Sequence, residues 1–562
     1  MIQRELKFAL TTSMVAEFEQ RAAIGLTQPS SRHWSRYYDT GAADLLKASL
    51  VLRVRSAPEG YLQSLEVLDP VDSLESLSPH SLPSRDDSGS APWEWTHPVP
   101  EERLELEALP PPSHAAGALT RECFPLLAPL FDCDFERQVR LVRPQPGLRV
   151  EIACDRGEIR AGRRSEPIAE VRLDLKDGSR AAFYHYAMQW ARLHHAQLLL
   201  SSKHLRGTLL AGRQAPAPRA LQSPPCAPRP DLPAAAAARQ ILAGHLEHIQ
   251  GKIVPVLGQR SPDGVHQLRD ALRRFRAAIR FLDLRRPALG SEGLPTPGDA
   301  SASWNDLDRR AQVLATSVSL VSDVDALEAG PLARLKQTFP DDPALQVLGR
   351  SLYLEREQQG QRLRALLESP RLAAFLIEAQ AAAESLPANR WHESSFDDFA
   401  AMRLEMLARR ARRRVRHAVA REDWHAVGLA IRNLRYALDG CRLLKMTIRP
   451  PAAVISALTQ WETQLGADQN LARAHAIIGR ALGLTAAPAA VALRAAALVD
   501  GYAAFAVQLA PDFRLPLLAT LKQLRASNPV TAPGYHPETP AATVPDTWSD
   551  GFDNGLYEEE PR

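Results

Sequence analysis

No apolar run in the chain approaches the 18 or so residues that a helical membrane span requires. Cysteine is scarce. The five in 562 residues (Cys123, Cys133, Cys154, Cys226 and Cys441) stand nine or more residues apart, without metal-ligand spacing, and read as ordinary reduced thiols of a cytosolic protein. The opening MIQRELKFALTTSM lacks an apolar signal-peptide core and carries charges where one would sit. The expectation is therefore a cytoplasmic protein with no membrane association. Excess charge of one sign is also missing: the formal net charge is +3, so any affinity for a polyanion has to come from local clustering. The arginines that do cluster have no aromatic stacking pattern beside them and no recognisable nucleic-acid fold around them, which counts against nucleic-acid binding.

What is present divides by composition. Residues 1–208 contain alternating polar and apolar runs, among them IQRELKFAL, SLVLRVRS, GYLQSLEVL, ERQVRLVR, GLRVEIACD and PIAEVRLDLK. These are strand signals, and charge on alternate positions suits an antiparallel sheet closed around a polar lumen. A Ser-, Pro- and Asp-rich insert separates Asp69 from Trp93, and a proline-rich linker occupies 209–234. Residues 235–526 are Ala-, Leu- and Arg-rich with helical periodicity, in two repeats of about 235–385 and 386–526. From 527 to 562 runs an acidic tail that reads as disordered. The fold class expected is α+β and multidomain, an antiparallel β tunnel followed by an all-α domain of two pseudo-symmetric bundles.

One pattern occurs twice in the helical part. His266, Arg269, Arg273 and Arg276 form the first copy; His425, Gly428, Arg432 and Arg435 form the second. Spacings of three, four and three place each set on one face of a helix. Val265, Leu268, Leu272, Phe275 and Ile279 fall on a neighbouring face, as do Val427, Ala430 and Leu434. Each helix can pack into a bundle while holding a row of guanidinium groups toward one surface. A single basic stripe is ordinarily solvated surface; two in the same register, each led by a histidine, suit a long polyanion. Neither histidine has a carboxylate or nucleophile at fixed spacing, so capping an anion groove is expected of them, with affinity rising as pH falls through about 6.5. The two helices are expected to lie close together. Gly428 costs the second copy a charge and some rigidity. The run Arg409, Arg410, Arg412, Arg413, Arg414 and Arg416 spreads around its helix and reads as largely solvated.

In the strand-rich part, Gln3, Glu5 and Lys7 share one side of a strand, as do Arg53 and Arg55, and Glu170, Arg172 and Asp174, while Arg137 and Arg140 lie on a fourth strand. Glu151 and Lys203 add to the set. A lumen lined in this way can hold phosphate oxygens on its cations, while paired carboxylates hold Mg²⁺ or Mn²⁺ to polarise a phosphoryl group. The alternative is a barrel of exposed ion pairs.

The N-terminal strand, Tyr37–Thr40 (YYDT), LVLRVR, YLQSLEV, RVEIACDRGEIRAGRRSEPIAEVRLDLKDG and SSKHLRG together resemble the CYTH family, the triphosphate-tunnel fold. The two histidine–arginine helices resemble the CHAD family. The resemblance implies an inorganic triphosphatase-like tunnel joined to a polyphosphate-binding module, a location in the cytoplasm on polyphosphate granules, and inorganic polyphosphate and tripolyphosphate, or another triphosphate, as partners. It implies a catalytic set of Glu5, Lys7, Arg53, Arg55, Arg137 and Lys203. The metal ligands implied are Glu5, Glu170 and Asp174. The polyphosphate ligands implied are His266, Arg269, Arg273, Arg276, His425, Arg432 and Arg435. Three positions depart from the family pattern: Gln3 and Arg172 stand where carboxylates are usual, and Glu66 stands where a lysine is usual. An amide lacks the charge that offsets desolvation of a hard cation, and Arg172 repels one. The expectation is weak, metal-dependent hydrolysis, with a non-catalytic polyphosphate-targeting or scaffold role as the alternative.

Overall fold

The computed structural model describes residues 5–11, 26–27, 29–67, 93–213, 232–259, 262–286, 301–387, 395–418, 421–443, 452–485, 487–508 and 514–526. Gln3, nearly all of the insert after Asp69, most of the proline-rich linker and the acidic tail lie outside them.

The first part is one antiparallel sheet of ten strands. They are β1 (Glu5–Ala9), β2 (Leu26–Thr27), β3 (Ser31–Thr40), β4 (Leu50–Ala57), β5 (Gly60–Val67), β6 (Glu94–Val99), β7 (Leu127–Gln145), β8 (Leu148–Ala161), β9 (Arg164–Asp177) and β10 (Gln197–Leu198). Their order is β10-β1-β9-β8-β7-β3-β4-β5-β6, with β2 on β7. Among the described residues no pairing joins β6 to β10. Short helices α1 (Asp44–Lys47) and α2 (Ala115–Cys123) flank it, followed by α3 (Arg180–Leu193) and α4 (Lys203–Leu210).

Period-2 alternation builds the two faces. On β1, β8 and β9 the residues Leu6, Phe8, Val150, Ile152, Val171 and Leu173 point to one side and form a core with Phe183, Tyr184 and Ala187 of α3. The intervening residues, Lys7, Arg172, Asp155 and Glu170 among them, are left for the other side. Helix α4 closes against the sheet at Gly207, where an added Cβ would meet the Phe131 ring at 2.2 Å. Glycine there lets α4 lie close enough to present its first turn to the concave face.

The second part is helical: α5 (Ala234–Gln259), α6 (Pro262–Phe281), α7 (Ser301–Leu327), α8 (Ala333–Thr338), α9 (Pro343–Leu367), α10 (Pro370–Glu384), α11 (Phe396–His417), α12 (Arg421–Leu443), α13 (Ala452–Leu484), α14 (Ala489–Gln508) and α15 (Arg514–Ala526). All eight apolar positions named for the two repeats are buried. A single large core draws on α5, α6 and α7 as well as α11, α12, α13 and α15, so the division near 385 does not separate two cores. Amphipathic stripes bury against whichever stripe is nearest, irrespective of the repeat that supplied it. Among the described residues no helix is long and apolar enough to cross a membrane.

The two parts are packed together despite the linker. Ile377 and Ala381 of α10 belong to the core under α3. Arg180 of α3 pairs with Glu384 at 3.4 Å, and Arg192 with Glu378 at 2.7 Å. The tunnel part also runs past 208, since α4 ends at Leu210 and Arg213 donates to the Gly41 carbonyl at 2.6 Å.

Candidate functional site

The curved sheet and α4 enclose a cavity of about 380 Å³. Six cations line it, Lys7, Arg53, Arg55, Arg137, Arg172 and Lys203, against three carboxylates, Glu66, Asp155 and Glu170, so the wall is cationic. The five cations implied by the family resemblance therefore line one cavity, together with Arg172.

The carboxylates are already engaged. Asp155 is 2% exposed and accepts two bonds from Arg137, at 2.7 and 2.8 Å, and one from Lys203 at 2.7 Å. Burial pushes its carboxyl up, but Arg137 and Lys203 outweigh that and hold it below the usual aspartate range. Glu170 stands opposite Asp155 in the β8–β9 register; it accepts from Lys203 and, at 3.0 Å, from Arg206. Lys203 sits at the start of α4, whose Ser202 side chain caps the helix by accepting from the Leu205 amide. Arg53 donates to Ser64 Oγ at 3.1 Å and pairs with Glu66. Arg55 differs: its buried Nε has no partner, and no carboxylate pairs with it among the described residues.

Glu5, Glu170 and Asp174 do not converge. Glu5 faces Asp174 across β1–β9, and Asp174 faces Glu151 across β8–β9, making one row. Glu170 lies four residues along β9, roughly 13 Å away at strand rise. The first row is covered by cations: Lys7 on Glu5 at 2.9 Å, Arg172 on Asp174 at 2.9 Å and Lys176 on Glu151 at 3.1 Å. The described residues contain no cluster of three or more side chains that could hold a metal ion. Carboxylates that each carry an ammonium or guanidinium group do not fit Mg²⁺ or Mn²⁺, which needs several free oxygens.

In the helical part α6 and α12 are neighbours. Tyr436 donates to Asp270 at 2.5 Å, and Arg274 lies over the Tyr436 ring and pairs with Asp439 at 3.4 Å. The expected rows of free guanidinium groups are mostly neutralised. Arg269, only 8% exposed, donates to Asp323 at 3.0 Å, and Arg276 donates to Asp308 at 2.8 Å, both carboxylates being on α7. Arg432 and Arg435 share Glu462 of α13 at 2.7 and 2.5 Å. Sequence spacing placed the arginines on one face; the acids opposite come from distant helices, which periodicity cannot register. Arg273 alone among the row's arginines has no hydrogen-bond or ion-pair partner among the described residues. Burial, then Arg432 and Arg269, push its pKa down to about 9, so its charge is poorly compensated.

Arg269 Nη2 donates to His266 Nδ1 at 3.1 Å. Desolvation, then Arg269 and Arg273, lower its pKa below the ordinary histidine value, so protonation near 6.5 is not the switch expected of it. His425 and Gly428 lie on α12 with Arg432. In the α11 run, Arg409 is exposed and held by Glu405, while Arg412 donates to the Leu521 carbonyl and Arg414 to that of Ala426. Part of this run is thus structural. Sequence reasoning missed Asp155, Arg206 and Glu462. Asp155 carried no local signal of this role, because its place opposite Glu170 is set by the β8–β9 register.

Residues 240–479 match the CHAD domain. An inorganic triphosphatase of Haemophilus influenzae is 32% identical over 122 residues, which is 21% of this chain and 34% of that protein. The match therefore spans about a third of the relative's length. The CHAD domain structure from the plant Ricinus communis is 22% identical with a TM-score of 0.43, covering 53% of this chain and 94% of that one. A Hippeastrum protein described as having a dominant triphosphatase activity is 16% identical with a TM-score of 0.23, over 37% of this chain and 95% of its own. Residues 240–479 are thus similar to the CHAD domain, behind an N-terminal region that resembles the Haemophilus inorganic triphosphatase.

Proposed function

We propose that the protein binds inorganic polyphosphate through its helical part and holds a triphosphate in the tunnel, by cations alone. The carrying observation is that, among the described arginines of the cavity wall and of the two helical rows, one in each set has no carboxylate partner, Arg55 in the tunnel and Arg273 between α6 and α12. A desolvated, unpaired guanidinium is costly unless an anion completes it, and phosphate oxygens do so through charge-assisted, often bidentate bonds. In the tunnel, Arg137, Arg172 and Lys203 surround the same space as Arg55 and can share an incoming phosphate with their present carboxylates. Titration calorimetry of the full chain with long-chain polyphosphate and with tripolyphosphate tests this. Arg273→Ala should weaken long-chain binding at least tenfold, and Arg55→Ala should weaken tripolyphosphate binding similarly, consistent with charged hydrogen bonds of about 1.5–3 kcal/mol. Unchanged affinities would place the anion elsewhere.

A second reading, slow hydrolysis of tripolyphosphate, is favoured by the 32% identity to the Haemophilus triphosphatase. Phosphate release with and without Mg²⁺ or Mn²⁺ separates the two. Release should be weak, and the double change Gln3→Glu with Arg172→Glu should raise it by restoring free carboxylates. Rapid wild-type turnover without gain in the double variant would overturn the reading of impairment.

A further inference from the structure

Glu66 enters the anion cavity on the wrong side of the charge balance, and its surroundings give it a use. Its carboxylate lines the cavity and pairs with Arg53, both side chains being 24% exposed. Opposite it in the β5–β6 register stands Glu94, whose carboxylate lies 3.8 Å from the same guanidinium. On β4, Arg55 is the other nearby cation; on β3, the Tyr37 hydroxyl accepts from Arg53 at 3.5 Å. From α4, His204 faces Arg53; burial, then Arg53, push its pKa down to about 4, which leaves it neutral. One guanidinium thus serves two carboxylates within a site whose other cations face inward.

We propose that Glu66 is a specificity-determining residue of the tunnel, a built-in competitor that a phosphate must displace to reach Arg53. The inference rests on the reading of the tunnel as an anion site. A single phosphate cannot outbid a carboxylate held at contact distance. A triphosphate anchored on Arg55, Arg137 and Lys203 delivers its next phosphate to Arg53 at high effective concentration. Glu66 thereby selects for chain length.

Displacement also moves a proton. Burial already holds the Glu66 carboxyl above its ordinary value, and Glu94 adds to this against the pull of Arg53. Once a phosphate takes Arg53, Glu66 loses its counter-ion and faces a polyanion, so its affinity for a proton rises further. A higher pKa in the bound state means proton uptake on binding, and a penalty that is largest at high pH and fades as the pH falls.

The test compares wild-type Glu66 with Glu66→Gln in the full chain carrying Arg273→Ala, by calorimetry with tripolyphosphate. At about pH 8, Glu66→Gln should tighten binding about tenfold; by about pH 5.5 the ratio should shrink toward one, the ligand's own titration cancelling between the two proteins. Glu66→Ala should shift affinity in the same direction and covers the case of a poorly folded Gln variant. With orthophosphate the gain should be proportionally larger than with tripolyphosphate. Saturable binding that neither variant tightens would overturn the role of Glu66. Absence of any tripolyphosphate binding that Arg55→Ala removes would instead overturn the tunnel as an anion site.

Discussion

Asp155 shows how much of the tunnel depends on one side chain. It is almost wholly buried and neutralises Arg137 and Lys203 together. Breaking a buried pair by removing one partner leaves the other charges uncompensated, at about 3–5 kcal/mol. Asp155→Asn should therefore lower stability by about that much in urea denaturation while raising tripolyphosphate affinity. A variant as stable as the parent would show that Arg137 and Lys203 are solvated well enough to stand alone. The pH dependence has a definite sign. Because the folded-state pKa is depressed, the contribution of Asp155 is complete above the unfolded aspartate range and is lost as pH falls through the lower folded value. Arg273 is the converse case, a charge without a partner, so Arg273→Ala should abolish long-chain polyphosphate protection against heat while leaving the unliganded melting temperature unchanged or higher. Strand alternation made Lys7 legible beside Glu5, and Arg53 beside Arg55, whereas Arg137 and Lys203 were singled out by the family resemblance. Asp155 was not legible, because its importance comes from the β7–β8 register and from Lys203 arriving on a helix 48 residues later.

Among the elements, α10 carries the joint between the two parts. Ile377 is 1% exposed and packs with the α3 core, and Glu378 accepts from Arg192 of α3 and from Arg310 of α7. Removing residues 1–213 should leave polyphosphate binding in the helical part but expose Ile377 and Ala381, lowering its solubility and melting temperature. In the intact chain Ile377→Ala should cost about 2–5 kcal/mol, the range for an aliphatic side chain truncated in a core. A cost below 1 kcal/mol would mean that α3 and α10 touch without depending on each other. The proline-rich linker pointed to separate modules, and nothing in its composition signals this contact. By contrast, the apolar stripes of α6 and α12 were readable position by position, since a helical period fixes which residues share a face whatever the partner.

At the scale of the whole molecule, a net charge of +3 cannot attract a polyanion by itself, so binding depends on the clustered guanidinium groups. Polyphosphate affinity should fall steeply and roughly linearly on a log–log salt plot, by counterion release as for nucleic acids. Chains long enough to reach both α6 and α12 should bind more tightly than tripolyphosphate. Fluorescence anisotropy with labelled chains of graded length checks both. Affinity independent of salt would contradict a site built from Arg269, Arg273 and Arg432.

The sequence by itself determined the order of the parts, the strand and helix periods, and which side of each element is charged, because these follow from the local geometry of a single chain. Only the tertiary structure decided which charges are free. Arg269, Arg276, Arg432 and Arg435 are held by Asp323, Asp308 and Glu462 from other helices, and Arg53 is held by Glu66 from the next strand. An ion pair depends on a few ångströms between side chains that the sequence separates by tens of residues. Among the described arginines of the cavity wall and of the two rows, Arg55 and Arg273 are left without a carboxylate partner.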